Sequence, residues 1–315
     1  MNKIIIFYFL LLYNCVFMTA NNNESFYRHE TIEQHREQQR KIAVEGGDMA
    51  YIDIGKGPVI LLVHGVPTSS WLYRHIIDNL LQKGYRVIAP DLLGFGNSDK
   101  PKGIDVYNMD KQAKRLLKLM NDLQIDSWTH VLHDAGGIWS WELMRLVERE
   151  RIENMIILNT IIYKEGFLPP MRFKRGKVWG KLYTGTYKTL CRILINATLN
   201  NGLCVNNLKK ADKKGYWLPM REGGNRALYH FFTSFEEIET MLPVYQERLQ
   251  ELAIPTMVIW GKLDDILVGE KQVPLLVELP NVAECDVYLL DKAKHFIQEE
   301  KPDEISELII DFVNK

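Results

Sequence analysis

Along most of this chain, short unbroken apolar runs end at a turn and lead into a helical pattern. Residues 58–63 end at His64-Gly65, and 73–82 follow with helical spacing and Gly84 as a stop. Residues 86–91 precede an amphipathic stretch, 110–123, with Leu116, Leu117, Met120 and Leu123 on one face. Residues 128–132 lead into a helix over 137–147. Strand-like runs recur at 154–158, 254–260 and 287–290, before a terminal helix over 302–313. Apolar runs this short, continuous rather than alternating, are strands covered on both faces. Such strands joined through helices form a mainly parallel sheet flanked by helices, the α/β class. Residues 41–44 and 49–54, split by Gly46-Gly47-Asp48, predict a hairpin.

One stretch breaks the rhythm. Residues 160–240 carry many aromatics, several short helical patterns and no buried strand. They predict a helical cap inserted after a core strand, leaving 21–159 and 241–315 as the core. Residues 21–38 are polar and read as an extended or partly helical lead-in. Hydrophobic residues make up 46% and charged residues 25%, enough for a real core. The formal net charge of −1 provides no basic field for nucleic acid.

The N-terminus has its own character. Lys3 precedes an apolar run over 4–18, then Thr19-Ala20 and three asparagines. The run is shorter than the ~20 residues a spanning helix needs. Residues 1–20 therefore predict a secretory signal peptide, with an uncleaved signal anchor as the alternative. The expected location is secreted or lumenal, with no stable membrane partner beyond that segment. Asn23-Glu24-Ser25 and Asn196-Ala197-Thr198 fit the acceptor pattern of a glycoprotein. Outside the leader stand Cys191, Cys204 and Cys285; the first two are either bridged or free thiols.

The chemistry centres on His133-Asp134-Ala135-Gly136-Gly137, between a strand and a helix. A sharp turn there lifts one side chain above the sheet, and small neighbours make room for it. The lifted residue is Asp134. A carboxylate with an ordinary pKa of about 3.9 is ionised at neutral pH and needs no base to attack. It can displace a leaving group from a saturated carbon and give an alkyl ester of the enzyme, which water can hydrolyse. A serine would instead give an unreactive ether.

The hydrolytic step needs a base. His295, in the loop before the terminal helix, is the expected one. The orienting acid should lie in Gly261-Lys262-Leu263-Asp264-Asp265; the spacing selects Asp264, with Asp265 as its neighbour alternative. Val66, in His64-Gly65-Val66-Pro67, and Ala135 would supply oxyanion-hole N–H groups. The run from Asp91 to Asp99 reads as a structural turn, His133 as a packing neighbour of the elbow, and Glu299 and Glu300 as charge partners of the last helix.

From about residue 40 onward these motifs resemble the α/β-hydrolase superfamily. The Asp134 elbow resembles its aspartate-nucleophile branch, the haloalkane dehalogenases and soluble epoxide hydrolases. The His-Gly-x-Pro-Thr-Ser-Ser run is also similar to the mesoderm-specific transcript protein. The resemblance implies the α/β-hydrolase fold with a helical cap over the site, and a small apolar organic substrate with water as co-substrate. It also marks departures. Dehalogenases of this type carry tryptophan after the nucleophile and often asparagine at the second halide donor, where this chain has Ala135 and Val66. Trp179 or Trp217 would have to substitute. Epoxide hydrolases use cap tyrosines as acids. Tyr163, Tyr183, Tyr187, Tyr216 and Tyr229 are available, and Tyr216 is selected here.

Three functions follow: an epoxide hydrolase-like enzyme, a haloalkane dehalogenase-like enzyme of the same mechanism, and a non-catalytic binding protein on the same fold. The chain shows no Cys-x-x-Cys, no His-Glu-x-x-His and no phosphate-binding glycine loop, so neither metal nor cofactor is expected.

Overall fold

The computed structural model describes residues 27–169 and 171–315. The leader, Cys15 and the Asn23 site lie outside them.

Eight strands form one sheet: β1 (Arg40–Val44), β2 (Gly47–Ile54), β3 (Val59–Val63), β4 (Arg86–Pro90), β5 (Trp128–Asp134), β6 (Ile152–Thr160), β7 (Thr256–Gly261) and β8 (Val282–Leu290). Their order is β1-β2-β4-β3-β5-β6-β7-β8. The β1–β2 and β2–β4 pairs are antiparallel, and every pair from β4 to β8 is parallel. The central strands are mostly apolar because helices cover both faces. β5 and β7 are buried at every residue.

On the core lie α1 (Ile32–Glu37), α2 (Arg74–Gln82), α3 (Met109–Asp122) and α4 (Gly136–Met144). The lead-in is partly helical, as expected: Thr31 caps α1 through a reciprocal bond with Gln34. The turn after β4 is structural. Asp91 accepts hydrogen bonds from the backbone N–H groups of Ser70 and Asn97. Gly96 is required there, since a Cβ would stand 2.1 Å from the Asp91 carboxyl carbon.

After β6 the chain leaves the core. The cap holds α5 (Lys177–Gly202), α6 (Lys210–Pro219) and α7 (Asn225–Phe232), with a π-turn over Met220–Gly224. It returns along α8 (Phe235–Leu252), a continuous helix that spans residue 240. The C-terminal part of α8 belongs to the core: Tyr245 donates to Glu142 and Arg248 donates to the Met144 carbonyl. α9 (Gly269–Val277), α10 (Ile297–Glu300) and α11 (Pro302–Val313) complete the fold.

Cys191, Cys204 and Cys285 are all free thiols, so the pairing left open for the first two resolves as unbridged. The Asn196 acceptor site lies inside α5 rather than on a loop. Among the described residues no helix is long and apolar enough to cross a membrane.

Candidate active site

The elbow is built as the sequence predicts. β5 ends at Asp134, whose φ is 51°, and α4 begins two residues later. This left-handed conformation is tolerated by aspartate but costly for most side chains. The turn closes only because its neighbours lack side chains. A Cβ on Gly136 would meet the Val63 and His64 carbonyl oxygens at 2.6 and 2.7 Å, and one on Gly137 would meet Thr160 Oγ1 at 2.0 Å. Thr160 also braces the elbow by donating to the Asp134 carbonyl at 2.7 Å.

Asp134 is buried, and one of its carboxylate oxygens is already held. The Val66 N–H donates to Oδ2 at 2.8 Å. Burial raises the Asp134 pKa; His295 and the N–H groups of Ala135 and Val66 oppose that rise. The two residues expected to form an oxyanion hole thus both face this carboxylate. Oδ1 lies 3.7 Å from His295 Nε2, too far for a hydrogen bond. Nε2 therefore stands beside the carboxylate without being tied to it.

Asp264, not Asp265, orients the imidazole. Its Oδ2 accepts from His295 Nδ1 at 2.9 Å. Asp265 pairs instead with Lys294 at the surface. Burial works against a charged His295, but the carboxylates of Asp264 and Asp134 outweigh it and raise its pKa to about 9. Burial also works against ionised Asp264; His295 and several N–H donors prevail and hold its pKa below the usual range. Ile266 and Leu267 donate to Oδ1 at 2.9 and 3.0 Å. Asn159, at the end of β6, donates to Oδ2 at 2.6 Å and accepts from the Gly261 N–H at 3.0 Å. The sequence reading missed Asn159. Its signal was a small polar residue at the C-terminal end of the strand beside β5, where ligands and catalytic groups collect in such sheets.

His133 is the neighbour it was expected to be. Its Nε2–H donates to the His295 carbonyl at 2.9 Å, which fixes the backbone of the loop that carries the imidazole. Burial keeps it neutral, with its pKa lowered to about 3.

The expected cap acid is elsewhere. Tyr216 is fully buried and donates to Glu299, which is also paired with buried Arg74. Its hydroxyl is spent on that cluster, and Tyr216 does not line the cavity above Asp134. Glu299 correspondingly serves this internal ion pair rather than only a helix terminus. Glu300 accepts from the backbone N–H groups of Cys204 and Lys294. The tyrosines that line the cavity are Tyr183 and Tyr187, one turn apart on α5. The Tyr183 hydroxyl is buried without a hydrogen-bond partner among the described residues. Burial raises both phenols, so they are protonated donors. Trp179 stands at the rim of this cavity, 62% exposed, and Trp217 lies outside it.

The cavity measures about 810 Å³ and is walled mainly by apolar cap residues such as Phe173, Leu228, Phe231 and Phe235. Asp134, His295 and Val66 form part of its floor. Its size and lining suit a small apolar organic molecule. Among the described residues no group of three His, Cys, Asp or Glu is arranged to hold a metal ion.

Comparison with known proteins agrees with this architecture. Residues 58–302 match the family model described as alpha/beta hydrolase fold. A haloalkane dehalogenase of Mycobacterium marinum is 29% identical over 273 residues, covering 83% of this chain and 87% of the relative. Haloalkane dehalogenase 2 of Mycobacterium bovis is 30% identical over 280 residues, covering 84% and 91%. The solved structure of an epoxide hydrolase superposes with a TM-score of 0.69 at 21% identity, covering 87% of this chain and 97% of that one, a likeness of fold.

Proposed function

This chain belongs to the α/β-hydrolase fold family, and on that premise we propose that it hydrolyses its substrate in two steps through an alkyl ester on Asp134. The observation that carries the proposal is the asymmetry of the Asp134 carboxylate. Oδ2 is held by the Val66 N–H, while Oδ1 is free and faces His295 across 3.7 Å. Oδ1 is the attacking atom.

The charges supply an order of events. Before reaction His295 is protonated, because two carboxylates face it. Attack of Oδ1 on the substrate carbon forms a C–O bond and expels the leaving group with its electron pair. The new ester is neutral. One of the two charges that raised the His295 pKa is then gone, and the imidazolium becomes the stronger acid. Its proton passes to the oxygen of the departing group through the acid that serves it, or to solvent when a halide departs, and Nε2 can then accept one from a water attacking the ester carbonyl carbon. The oxyanion forms at Oδ2, which already accepts from the Val66 N–H, with the Ala135 N–H also facing the carboxylate. Collapse expels the alkoxide, which takes the imidazolium proton and leaves as an alcohol, and the carboxylic acid left on Asp134 returns its own proton to Nε2, restoring the carboxylate and the imidazolium. Asp264 stabilises the imidazolium, and Asn159 holds Asp264 in place.

The leaving group fits an epoxide oxygen best. It departs as an alkoxide that needs a proton, and Tyr183 offers an unpartnered phenol in the cavity wall. A carbon–halogen bond is the second reading, favoured by the dehalogenase relatives. For halide, Ala135 lacks a side-chain donor, and Trp179 at the rim is the indole available.

Turnover in water enriched in oxygen-18 tests the mechanism. The ester route places the heavy oxygen in the Asp134 carboxylate first, and the first-turnover product carries unlabelled oxygen from the protein. Label in the first product and none in the protein would show direct attack by water. Diol formation against halide release, on a panel of epoxides and haloalkanes, assigns the leaving group.

A further inference from the structure

The surface around the cavity mouth is unlike the rest of the molecule. Leu168, Met171, Trp179 and Leu182 line the opening and are 56%, 37%, 62% and 57% exposed. Along α5, Leu190 and Ile193 are exposed as well. At 3.6 residues per turn, Trp179, Leu182, Leu190 and Ile193 share one arc of about 80°. That arc abuts the buried face bearing Tyr187 and Cys191. Lys181, Lys188 and Arg192, all exposed, stand about 120–160° from the middle of that arc, on the polar side of the helix.

The charge is equally one-sided. No carboxylate occurs between Glu165 and Asp212. Arg172 and Arg175 are paired with Glu239 and Asp105. Lys174, Lys177, Lys181, Lys188 and Arg192 are exposed and carry no ion pair among the described residues. A net charge of −1 for the whole chain conceals this patch, because the compensating carboxylates lie elsewhere.

We infer that α5, with Leu168 and Met171 at the rim, forms a docking surface for an anionic lipid bilayer. An exposed helix with Trp, Leu and Ile on one face and lysines on its polar face lies in the headgroup layer, with its apolar side chains about 5–10 Å deep. Unpaired cations and negative headgroups are complementary. Docking in this pose turns the cavity mouth toward the hydrocarbon, the phase in which a small apolar substrate concentrates. The contact is shallow and reversible, and so differs from a stable membrane partner. The inference is independent of the chemistry proposed for Asp134.

The test is flotation of the full chain with phosphatidylcholine vesicles, with and without phosphatidylserine, combined with quenching by brominated lipid. The chain binds the anionic vesicles, high salt weakens binding, and brominated lipid quenches a fluorescence component that Trp179→Phe lacks. Lys181→Gln with Lys188→Gln lowers partitioning roughly thirtyfold, five- to sixfold per lysine. Leu190→Ser with Ile193→Ser lowers it roughly tenfold through lost apolar contact. Failure of the wild type to float overturns the inference. So does equal binding by wild type and both double variants with Trp179 unquenched, which would assign binding to the N-terminal apolar run. Self-association lost in the serine variant, without lipid binding, would assign the stripe to a second copy and also overturn it.

Discussion

Gly65→Ala is the smallest change that reaches the nucleophile without altering it. A Cβ on Gly65 would stand 2.5 Å from both Cβ and Oδ2 of Asp134 and 2.8 Å from the His133 carbonyl oxygen. Ordinary contact begins near 3.4 Å, so about 1 Å must be found. The His133 carbonyl belongs to a central strand and cannot retreat far. The Asp134 side chain must move, and Oδ2 leaves the Val66 N–H. Overpacking of this kind costs about 1–3 kcal/mol of stability. Displacing a reacting group by about 1 Å costs about a hundredfold in rate. The variant should therefore fold, unfold at lower urea, and lose about two orders of magnitude in kcat/KM. Gly185→Ala is the control. Nothing lies within 4 Å of its new Cβ, it sits inside α5, and alanine there should stabilise the helix by up to about 1 kcal/mol. Urea titration and steady-state turnover on the best substrate of the panel read both effects. Wild-type turnover and stability in Gly65→Ala would refute the packing argument and the placement of Oδ2.

Stability should fall as pH rises from about 6.5 to 9. Folded His295 holds its proton up to about 9 while the unfolded residue releases it near 6.5, so across that window the native state binds one proton more. The slope is about −1.4 kcal/mol per pH unit, about 3 kcal/mol over the window, and it should flatten in Asp264→Asn; urea midpoints across the pH range measure it, and an unchanged slope removes the pair from the account. Turnover should fail on the acid side at a pH above the ordinary aspartate range, because burial raises Asp134; an acid limb in kcat/KM at or below pH 3.9 would contradict this. Tyr183→Phe should slow epoxide opening a hundredfold or more while raising thermal stability, since a buried hydroxyl without a partner costs about 1–3 kcal/mol; an unchanged rate of diol formation excludes Tyr183 as the acid. Asn159→Ala should cost about 2–4 kcal/mol, because it strips a bond from Asp264 and leaves the Gly261 N–H without its acceptor; denaturation together with kcat measures both consequences.

The core was legible because its signals are local. Continuous apolar runs mark strands buried on both faces, and the Gly136-Gly137 pair after Asp134 marks a turn that tolerates no Cβ. The terminal helix over 302–313 and the elbow stand where the sequence places them. Asp264 was separable from Asp265 by its spacing from Gly261, and the structure places Asp264 on His295. The cap was legible as helical but not in its orientation. Which face a cap helix turns inward depends on neighbours far away in sequence. Tyr216 shows this: Arg74 and Glu299, from opposite ends of the chain, draw its hydroxyl out of the cavity. Tyr183 and Tyr187, four apart on one helix, carried a usable hint, because such pairs share a face. Asn159 escaped notice because its role rests on two contacts made only after β6 and β7 pair.

The account's central claim is a covalent bond between substrate carbon and Asp134. His295→Gln, incubated with epoxides and haloalkanes, should accumulate the alkyl-enzyme, because attack by the carboxylate does not need the imidazole as a base whereas ester hydrolysis does. Intact and peptide mass spectrometry should find one added substrate mass on the peptide containing Asp134. The folded variant free of adduct with every compound that the wild type turns over would contradict the two-step mechanism.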